Sequence, residues 1–185
     1  MRSADDIGPL LRAGADKISV NTAAVLDPNI LSIGAERFGS QCVVASIDAA
    51  HEGDSWLCYT HGGSESTDLD AVEWASACRE RGAGEILLTS IDQDGARSGY
   101  ALELTRAVAD AVPIPVIASG GAGQAEHLRD AFVEGHASAA LVAGILHDGV
   151  TTVDALKTSL AGWKVNVRLG EGTISDSPGV SDSLG

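Results

Sequence analysis

The sequence is short of aromatic residues and cysteines, and each shortage excludes a class of protein. Phe, Trp and Tyr make up only 4% of the 185 residues, whereas glycine occurs 22 times and 44% of the residues are hydrophobic. This composition favours an α/β domain over a sandwich of two β-sheets. The three cysteines, Cys42, Cys58 and Cys78, have neither metal-ligand spacing nor an even pairing. We therefore expect reduced thiols that act as small buried hydrophobic residues.

Positive charge is also scarce, because 12 Lys and Arg residues stand against 26 Asp and Glu residues, for a net charge of −14. Binding along a nucleic-acid backbone needs clustered Lys and Arg, so we expect no nucleic-acid partner. Any bound phosphate would have to rely on backbone amides and helix N-termini. His51, His61 and Cys58 lack ligand-like spacing, so we expect no metal ion and no cofactor.

Long apolar runs are missing as well. No stretch approaches the about 18 apolar residues of a membrane-spanning helix, and the first six residues carry no apolar signal-peptide core. We therefore expect a cytoplasmic protein that does not associate with a membrane.

The most informative stretch is an apolar run at residues 113–118 that stops in Ser119-Gly-Gly-Ala-Gly123. Its β-branched residues are typical of a strand buried on both faces, and a helical pattern follows from Gln124. Glycines let a backbone come close to a ligand, and a helix N-terminus favours an anion. We expect a phosphate site here; a tight strand-to-helix connection without a ligand is the alternative.

Strand and helix patterns alternate along the chain, which predicts a parallel sheet with right-handed crossovers. A small hairpin is predicted between residues 51 and 67, where glycines flank a short apolar run. The predicted strands are residues 16–24, 42–47, 85–91, 115–119 and 139–143, and the predicted helices are residues 4–13, 28–38, 68–81, 101–111, 124–134 and 153–161.

A repeat of helix, glycine and strand around Gly14 and again around Gly135 indicates a (β/α)8 barrel, the TIM-barrel fold, built from two similar halves. Such a barrel has eight strands, whereas about five are predicted here, after a helix with no strand before it. We therefore expect residues 1–169 to form a partial barrel that lacks the first three strand–helix units except their last helix. Residues 170–185 are acidic and rich in Gly and Ser, and we expect them to be disordered.

Polar residues gather at the carboxyl ends of the predicted strands, where barrels of this kind carry their functional sites. Asp48 follows an apolar strand and is a candidate general base, with a helix-capping or loop aspartate as the alternative. Residues 119–123 and 143–145 are two candidate anion sites on adjacent strands. The remaining strand-end residues are Asn21, Thr22, Thr89, Ser90, Asp92, Asp94 and Gly144.

Several motifs closely resemble the cyclase subunit of imidazole glycerol phosphate synthase. Asn21-Thr-Ala-Ala24 and Thr89-Ser-Ile-Asp92 separate this family from the related isomerase of the same pathway. The resemblance extends over about residues 1–169. Its motifs lie at residues 2–3, 14–24, 38–41, 46–49, 82–92, 94–95, 98–100 and 117–123.

The resemblance implies an enzyme of histidine biosynthesis that receives ammonia from a glutaminase subunit. The ammonia attacks a bis-phosphorylated formimino-aminoimidazole carboxamide ribonucleotide, and the products are imidazole glycerol phosphate and an aminoimidazole carboxamide ribotide. Asp48 becomes one of two catalytic aspartates. By the same resemblance, the expected substrate contacts are Asn21, Thr89, Asp94 and Gly95, and we place Thr22 and Ser90 with them. The expected phosphate-binding residues are Ser119, Gly120, Gly121 and Gly144, and the expected ammonia gate and partner interface consist of Asp16, Lys17 and Glu85.

The sequence also departs from the family. The second catalytic aspartate, a substrate lysine and another phosphate loop belong to strands one to three, which are not among those predicted. Gly144 replaces a serine, and Leu146 and Asp148 replace aromatic residues beside His147. We therefore expect negligible activity from the chain alone. Three interpretations stay open: a shortened form of a working cyclase, a partial barrel that assembles with itself or another chain, and a non-catalytic phosphate-binding module.

Overall fold

The computed structural model describes residues 3–169, and the disorder predicted for residues 170–185 lies outside this range. The strands are β1 (Ile18–Val20), β2 (Val43–Glu52), β3 (Ser55–Thr60), β4 (Glu65–Asp70), β5 (Glu85–Ser90), β6 (Val116–Ser119) and β7 (Ala139–Ala140). The α-helices are α1 (Ile7–Arg12), α2 (Thr22–Leu26), α3 (Asn29–Phe38), α4 (Ala71–Glu80), α5 (Leu102–Ala111), α6 (Ala125–Val133), α7 (Gly144–His147) and α8 (Val153–Gly162). Short 3-10 helices span Ala4–Asp6 and Ser40–Cys42.

All seven strands join one sheet, and five of them run parallel in the order β1, β2, β5, β6, β7. The other two, β3 and β4, continue antiparallel from β2 as a hairpin. β1 and β3 share one edge of β2, because β1 pairs with residues 43–45 and β3 with residues 48–52. The predicted α/β fold with parallel strands is confirmed and is consistent with the TIM-barrel family.

The hairpin changes two predicted boundaries. The strand expected to end at Asp48 continues to Glu52, because β3 supplies backbone partners for residues 48–52. The helix expected from Asp68 begins instead at Ala71, since residues 65–70 pair with β3. Asp70 is the N-cap of α4, and its carboxylate accepts the N–H groups of Val72 and Glu73 at 2.9 and 3.1 Å.

Two further boundaries differ near the strand ends. Thr22 begins α2 rather than ending a strand. β7 contains two residues rather than the five expected, and the next residues turn into the short helix α7, which was not predicted. A four-residue helix is too short to show a clear apolar period in a sequence.

The helices cover one face of the parallel sheet. On β5, Ile86 and Leu88 are buried, whereas Leu87 and Thr89, which alternate with them, are only partly buried. β6 repeats this alternation, so the expectation of a strand buried on both faces is wrong for the described residues. The core therefore lies between the sheet and its helices, and the opposite face is accessible.

Among the cysteines, Cys58 and Cys78 are buried, as expected, whereas Cys42 is partly exposed. None of the helices within residues 3–169 combines the length and apolar character needed to cross a membrane.

Candidate functional site

Three predicted site residues form a row across the accessible face of the sheet. Asp48 of β2 is in register with Thr89 of β5, and Thr89 is in register with Ser119 of β6. Side chains at paired positions of parallel strands lie on the same face of the sheet. The carboxylate and the two hydroxyls therefore lie side by side, near the carboxyl ends of β5 and β6 and in the middle of the longer β2.

Asp48 is partly buried and has a direct hydrogen-bond partner. The Asn21 amide donates to Oδ2 of Asp48 at 2.9 Å and to the carbonyl of Tyr59 at 3.2 Å. Burial raises the pKa of Asp48 above its ordinary value of 3.8; the Asn21 hydrogen bond opposes this, and the charge of Asp94 adds to it. A carboxyl group with a raised pKa is suited to accept and return a proton.

Two cavities open beside this row and share Asp94. The first has a volume of about 250 Å³ and contains Asp48 and Thr89. The second has a volume of about 260 Å³ and contains Ser119. The other residues that line the first cavity are Gly62, Gly63 and Ile91. The other residues that line the second cavity are Gly95, Arg97, Gly120, Ala122, Leu141, Ala143 and Gly144. The structure therefore brings the predicted catalytic and phosphate-binding residues to neighbouring cavities.

The glycine-rich loop after β6 packs against the loop between β5 and α5. The N–H of Gly99 donates to the carbonyl of Gly121 at 2.9 Å. A Cβ on Gly121 would lie 2.0 Å from the Gly99 carbonyl oxygen, and one on Gly123 would lie 2.2 Å from the Arg97 carbonyl oxygen. These glycines are therefore needed for contact between the two loops, a reason that the sequence did not reveal.

The N-terminus of α6 offers one amide fewer than expected. The N–H of Gly123 donates to Nδ1 of His127 at 3.1 Å, so this donor is already paired within the protein. Gly123 does not line the second cavity, whereas Ser119, Gly120 and Gly144 do.

Two predicted substrate residues lie apart from the others. Ser90 follows Thr89 on β5 and therefore faces the helices; it is buried and lines a separate cavity of about 380 Å³ with Trp56 and Tyr100. The hydroxyl of Thr22 is already bonded to the β3–β4 hairpin, since its Oγ1 accepts the N–H of His61 at 2.9 Å. Strand alternation was the available signal for separating Ser90 from Thr89.

The predicted gate residues lie at the opposite end of the strands from Asp48. Lys17, just before β1, donates through Nζ to Oε1 of Glu85, the first residue of β5. Asp16 is exposed beside them. The structure thus joins two of the three residues in one ion pair.

The predictions did not include Arg97, which lines the second cavity. Its guanidinium is paired with the carboxylate of Asp148. The available signal was that Arg97 is the one cation in residues 92–99, a polar loop after a strand. Within residues 3–169, no group of three His, Cys, Asp or Glu side chains is arranged to hold a metal ion.

Comparison with known proteins agrees with the motifs. The family model described as "Histidine biosynthesis protein" matches residues 1–152. "Imidazole glycerol phosphate synthase subunit HisF" of Myxococcus xanthus (strain DK1622) is 66% identical over 168 residues, 91% of this chain. The protein of the same name from Bacillus licheniformis is 55% identical over 166 residues, 89% of this chain.

The chain spans 66% of the length of each of these two relatives. The resemblance to the cyclase subunit of imidazole glycerol phosphate synthase is confirmed by their names and by the extent of the match. Because the family model covers most of the sequence, the chain belongs to the histidine biosynthesis protein family.

Proposed function

We propose that the chain is a cyclase subunit of imidazole glycerol phosphate synthase that acts in the cytoplasm. Its substrate would be the bis-phosphorylated formimino-aminoimidazole carboxamide ribonucleotide, and its products imidazole glycerol phosphate and the aminoimidazole carboxamide ribotide. The observation that carries this proposal is the row of Asp48, Thr89 and Ser119 beside two cavities that share Asp94. This row provides a proton-transfer group next to a candidate phosphate site.

Asp48 is the proposed acid and base of the reaction. Its raised pKa, caused mainly by burial, makes the protonated form more accessible than for an exposed aspartate. Asn21 fixes one carboxylate oxygen, which leaves the other available for the substrate. Thr89, Asp94 and Gly95 line the two cavities and are the proposed substrate contacts.

Ser119, Gly120, Gly121 and Gly144 are the proposed phosphate-binding residues. All except Gly121 line the second cavity, and Gly121 packs on the adjoining loop. A phosphate held here would place the rest of the substrate toward Asp94 and the first cavity.

The Lys17–Glu85 ion pair is the proposed ammonia gate. It lies at the amino end of β5, whereas Thr89 lies near the carboxyl end of the same strand. Ammonia from a glutaminase subunit would enter there and cross the sheet toward Asp48. Exposed Asp16 would face that subunit.

We further propose that the 185-residue chain alone turns over negligibly. One face of its sheet is accessible, and partly buried Leu87 and Ile117 lie there among the polar residues. A reaction that depends on excluding water is disfavoured on such a face. The same observation favours a second candidate function, phosphate binding without turnover.

The test combines binding and turnover with the same preparation. The purified chain is titrated with the bis-phosphorylated ribonucleotide by calorimetry and then assayed with ammonia, beside the Myxococcus xanthus relative. We expect binding, with turnover more than about tenfold below that relative. Turnover within that range would overturn the proposed inactivity, and absence of binding would overturn the cyclase assignment.

Two substitutions assign the roles. Ser119→Ala should weaken binding, whereas Ser76→Ala, a serine-to-alanine change on α4 that lines neither site cavity, should not. Asp48→Asn keeps the side-chain shape, so binding should be retained while any residual turnover falls by about a hundredfold or more. Unchanged residual turnover in Asp48→Asn would exclude its role as acid and base.

A further inference from the structure

The side chain of Arg97 is the one cationic group at the two site cavities. Among residues 3–169, no other Lys or Arg lines either of them. The cavities also contain Asp94, and Asp148 lies beside Arg97. Because these carboxylates repel an anion, a phosphate in the second cavity needs a nearby positive charge. Arg97 is the residue placed to supply it.

The guanidinium presents an edge, not its flat face, to Gly144. A Cβ built on Gly144 would lie 3.4 Å from Nη2 and 3.6 Å from Nε of Arg97, but 3.9 Å from Cζ. The Nε–Nη2 edge carries two parallel N–H groups, the geometry in which arginine binds two oxygens of a phosphate. Gly144 has no side chain between this edge and the cavity.

The backbone holds Arg97 in this place. Arg97 has a φ of +56°, a left-handed conformation that is uncommon for a residue with a side chain. Its carbonyl oxygen packs on Gly123, where a Cβ would approach it to 2.2 Å. Strained backbone of this kind persists where the surroundings enforce it and is enriched at ligand sites.

Asp148 is paired with one nitrogen of that edge. Nη2 of Arg97 donates to Oδ2 of Asp148, at the C-cap of α7. Both side chains are about half exposed, so this ion pair is in contact with water and can exchange for another anion at little cost.

We propose that Arg97 is a phosphate-binding residue of this cavity and that Asp148 is an internal counter-ion that the phosphate displaces. The proposal rests on the proposed phosphate site and adds its cationic group and a competitor within the chain. A phosphate dianion carries more charge than the Asp148 carboxylate and can accept both N–H groups of the edge.

The test measures the affinity of the full chain for inorganic phosphate by calorimetry, with matched substitutions. Arg97→Met should weaken binding about tenfold or more, because a charge-assisted pair of hydrogen bonds is lost. The phosphate affinity of Arg97→Lys should lie between those of Arg97→Met and the unsubstituted chain, because lysine keeps the positive charge but lacks the two parallel N–H groups. Arg106→Met is the control, because Arg106 is also exposed and pairs with an aspartate, Asp110, at 3.8 Å; its affinity should be unchanged.

Asp148→Asn tests the counter-ion. It should tighten phosphate binding about threefold or more, since a competing charge is removed. The gain should shrink when Arg97→Met is also present. Weaker binding or no change in Asp148→Asn alone would overturn the displacement of Asp148.

The outcomes separate this proposal from the one on which it rests. If Ser119→Ala weakens phosphate binding but Arg97→Met does not, the phosphate site stands and the role of Arg97 is wrong. If the unsubstituted chain binds no phosphate, or neither variant changes the affinity, both are wrong. Urea unfolding of each variant verifies that a lost affinity does not reflect a lost fold.

Discussion

The Asn21 side chain donates a 2.9 Å hydrogen bond to the carboxylate of Asp48, across the gap between the end of β1 and the accessible face of β2. This contact favours the charged form of Asp48, whereas burial and Asp94 favour the protonated form. The balance is a carboxyl group whose pKa lies above 3.8. Asp48 therefore costs stability when it is ionised in the folded protein.

Asp48→Asn should make the folded protein more stable at neutral pH. The folded state holds the Asp48 proton more tightly than the unfolded state, so its contribution is present below the ordinary pKa of 3.8 and is lost as pH rises through the folded pKa. Asparagine avoids that loss, and we expect the Tm to rise by about 2 °C at pH 7. The gain should shrink toward pH 4. Asp54→Asn, on the exposed hairpin turn, controls for removal of a negative charge; an equal gain at both pH values would contradict the prediction.

Gly121→Ala should destabilise the fold strongly. Gly121 has a φ of +99°, and a Cβ there would lie 2.0 Å from the Gly99 carbonyl oxygen. We expect the free energy of unfolding in urea to fall by about 2–4 kcal/mol. Gly149→Ala is the control, because Gly149 has a φ of +65° but nothing within 4 Å of its Cβ. Gly149→Ala should lower the free energy of unfolding by only about 1 kcal/mol. Equal losses at both positions would exclude the clash with Gly99 as the cause.

Asp70→Ala should lower stability by about 1 kcal/mol, the usual value of a helix N-cap. Its carboxylate accepts two N–H groups in the first turn of α4. Asp68→Ala, two residues earlier on β4, removes an exposed aspartate outside the helix and should cost less than about 0.5 kcal/mol. Urea denaturation compares the two variants. A larger loss of stability in Asp68→Ala than in Asp70→Ala would contradict Asp70 as the N-cap and would support the helix start at Asp68 expected from the sequence.

One of the three cysteines should react with a thiol reagent in the folded protein. Burial raises the pKa of both Cys58 and Cys78 to about 12, so their thiolate forms are negligible at pH 8. Cys42 is partly exposed. We expect about one fast equivalent with an aromatic disulfide reagent at pH 8, and none in Cys42→Ser. Three fast equivalents without denaturant would contradict the burial of the other two.

Strand and helix order could be predicted from the sequence, because a buried apolar period reflects which residues face the core. The predicted boundaries that were wrong lie where pairing with a strand from another part of the chain determines where an element ends. β2 runs past Asp48 because β3 pairs with it, and residues 68–70 join β4 because the same hairpin continues. A helical pattern in one segment carries no information about such pairing.

The candidate site was likewise predictable from the sequence only in part. Asp48, Thr89 and Ser119 were identifiable as polar residues that follow apolar strand patterns, although β2 continues past Asp48, and their parallel register followed from the predicted topology. Ser90 was grouped with Thr89 although the pleat turns it toward the helices. Arg97 and Asp148 were not paired in advance, since 51 residues separate them in the chain.

By itself, the sequence determined the α/β class, the family and the chemical character of the strand ends, because local residue patterns encode these. Only the tertiary structure decided that one sheet face is accessible, that the glycine-rich loop is packed against the loop ending at Gly99, and that Arg97 is the one arginine of residues 3–169 that lines the second cavity. These features depend on distances between segments far apart in the chain, and such distances exist only once the sheet has formed.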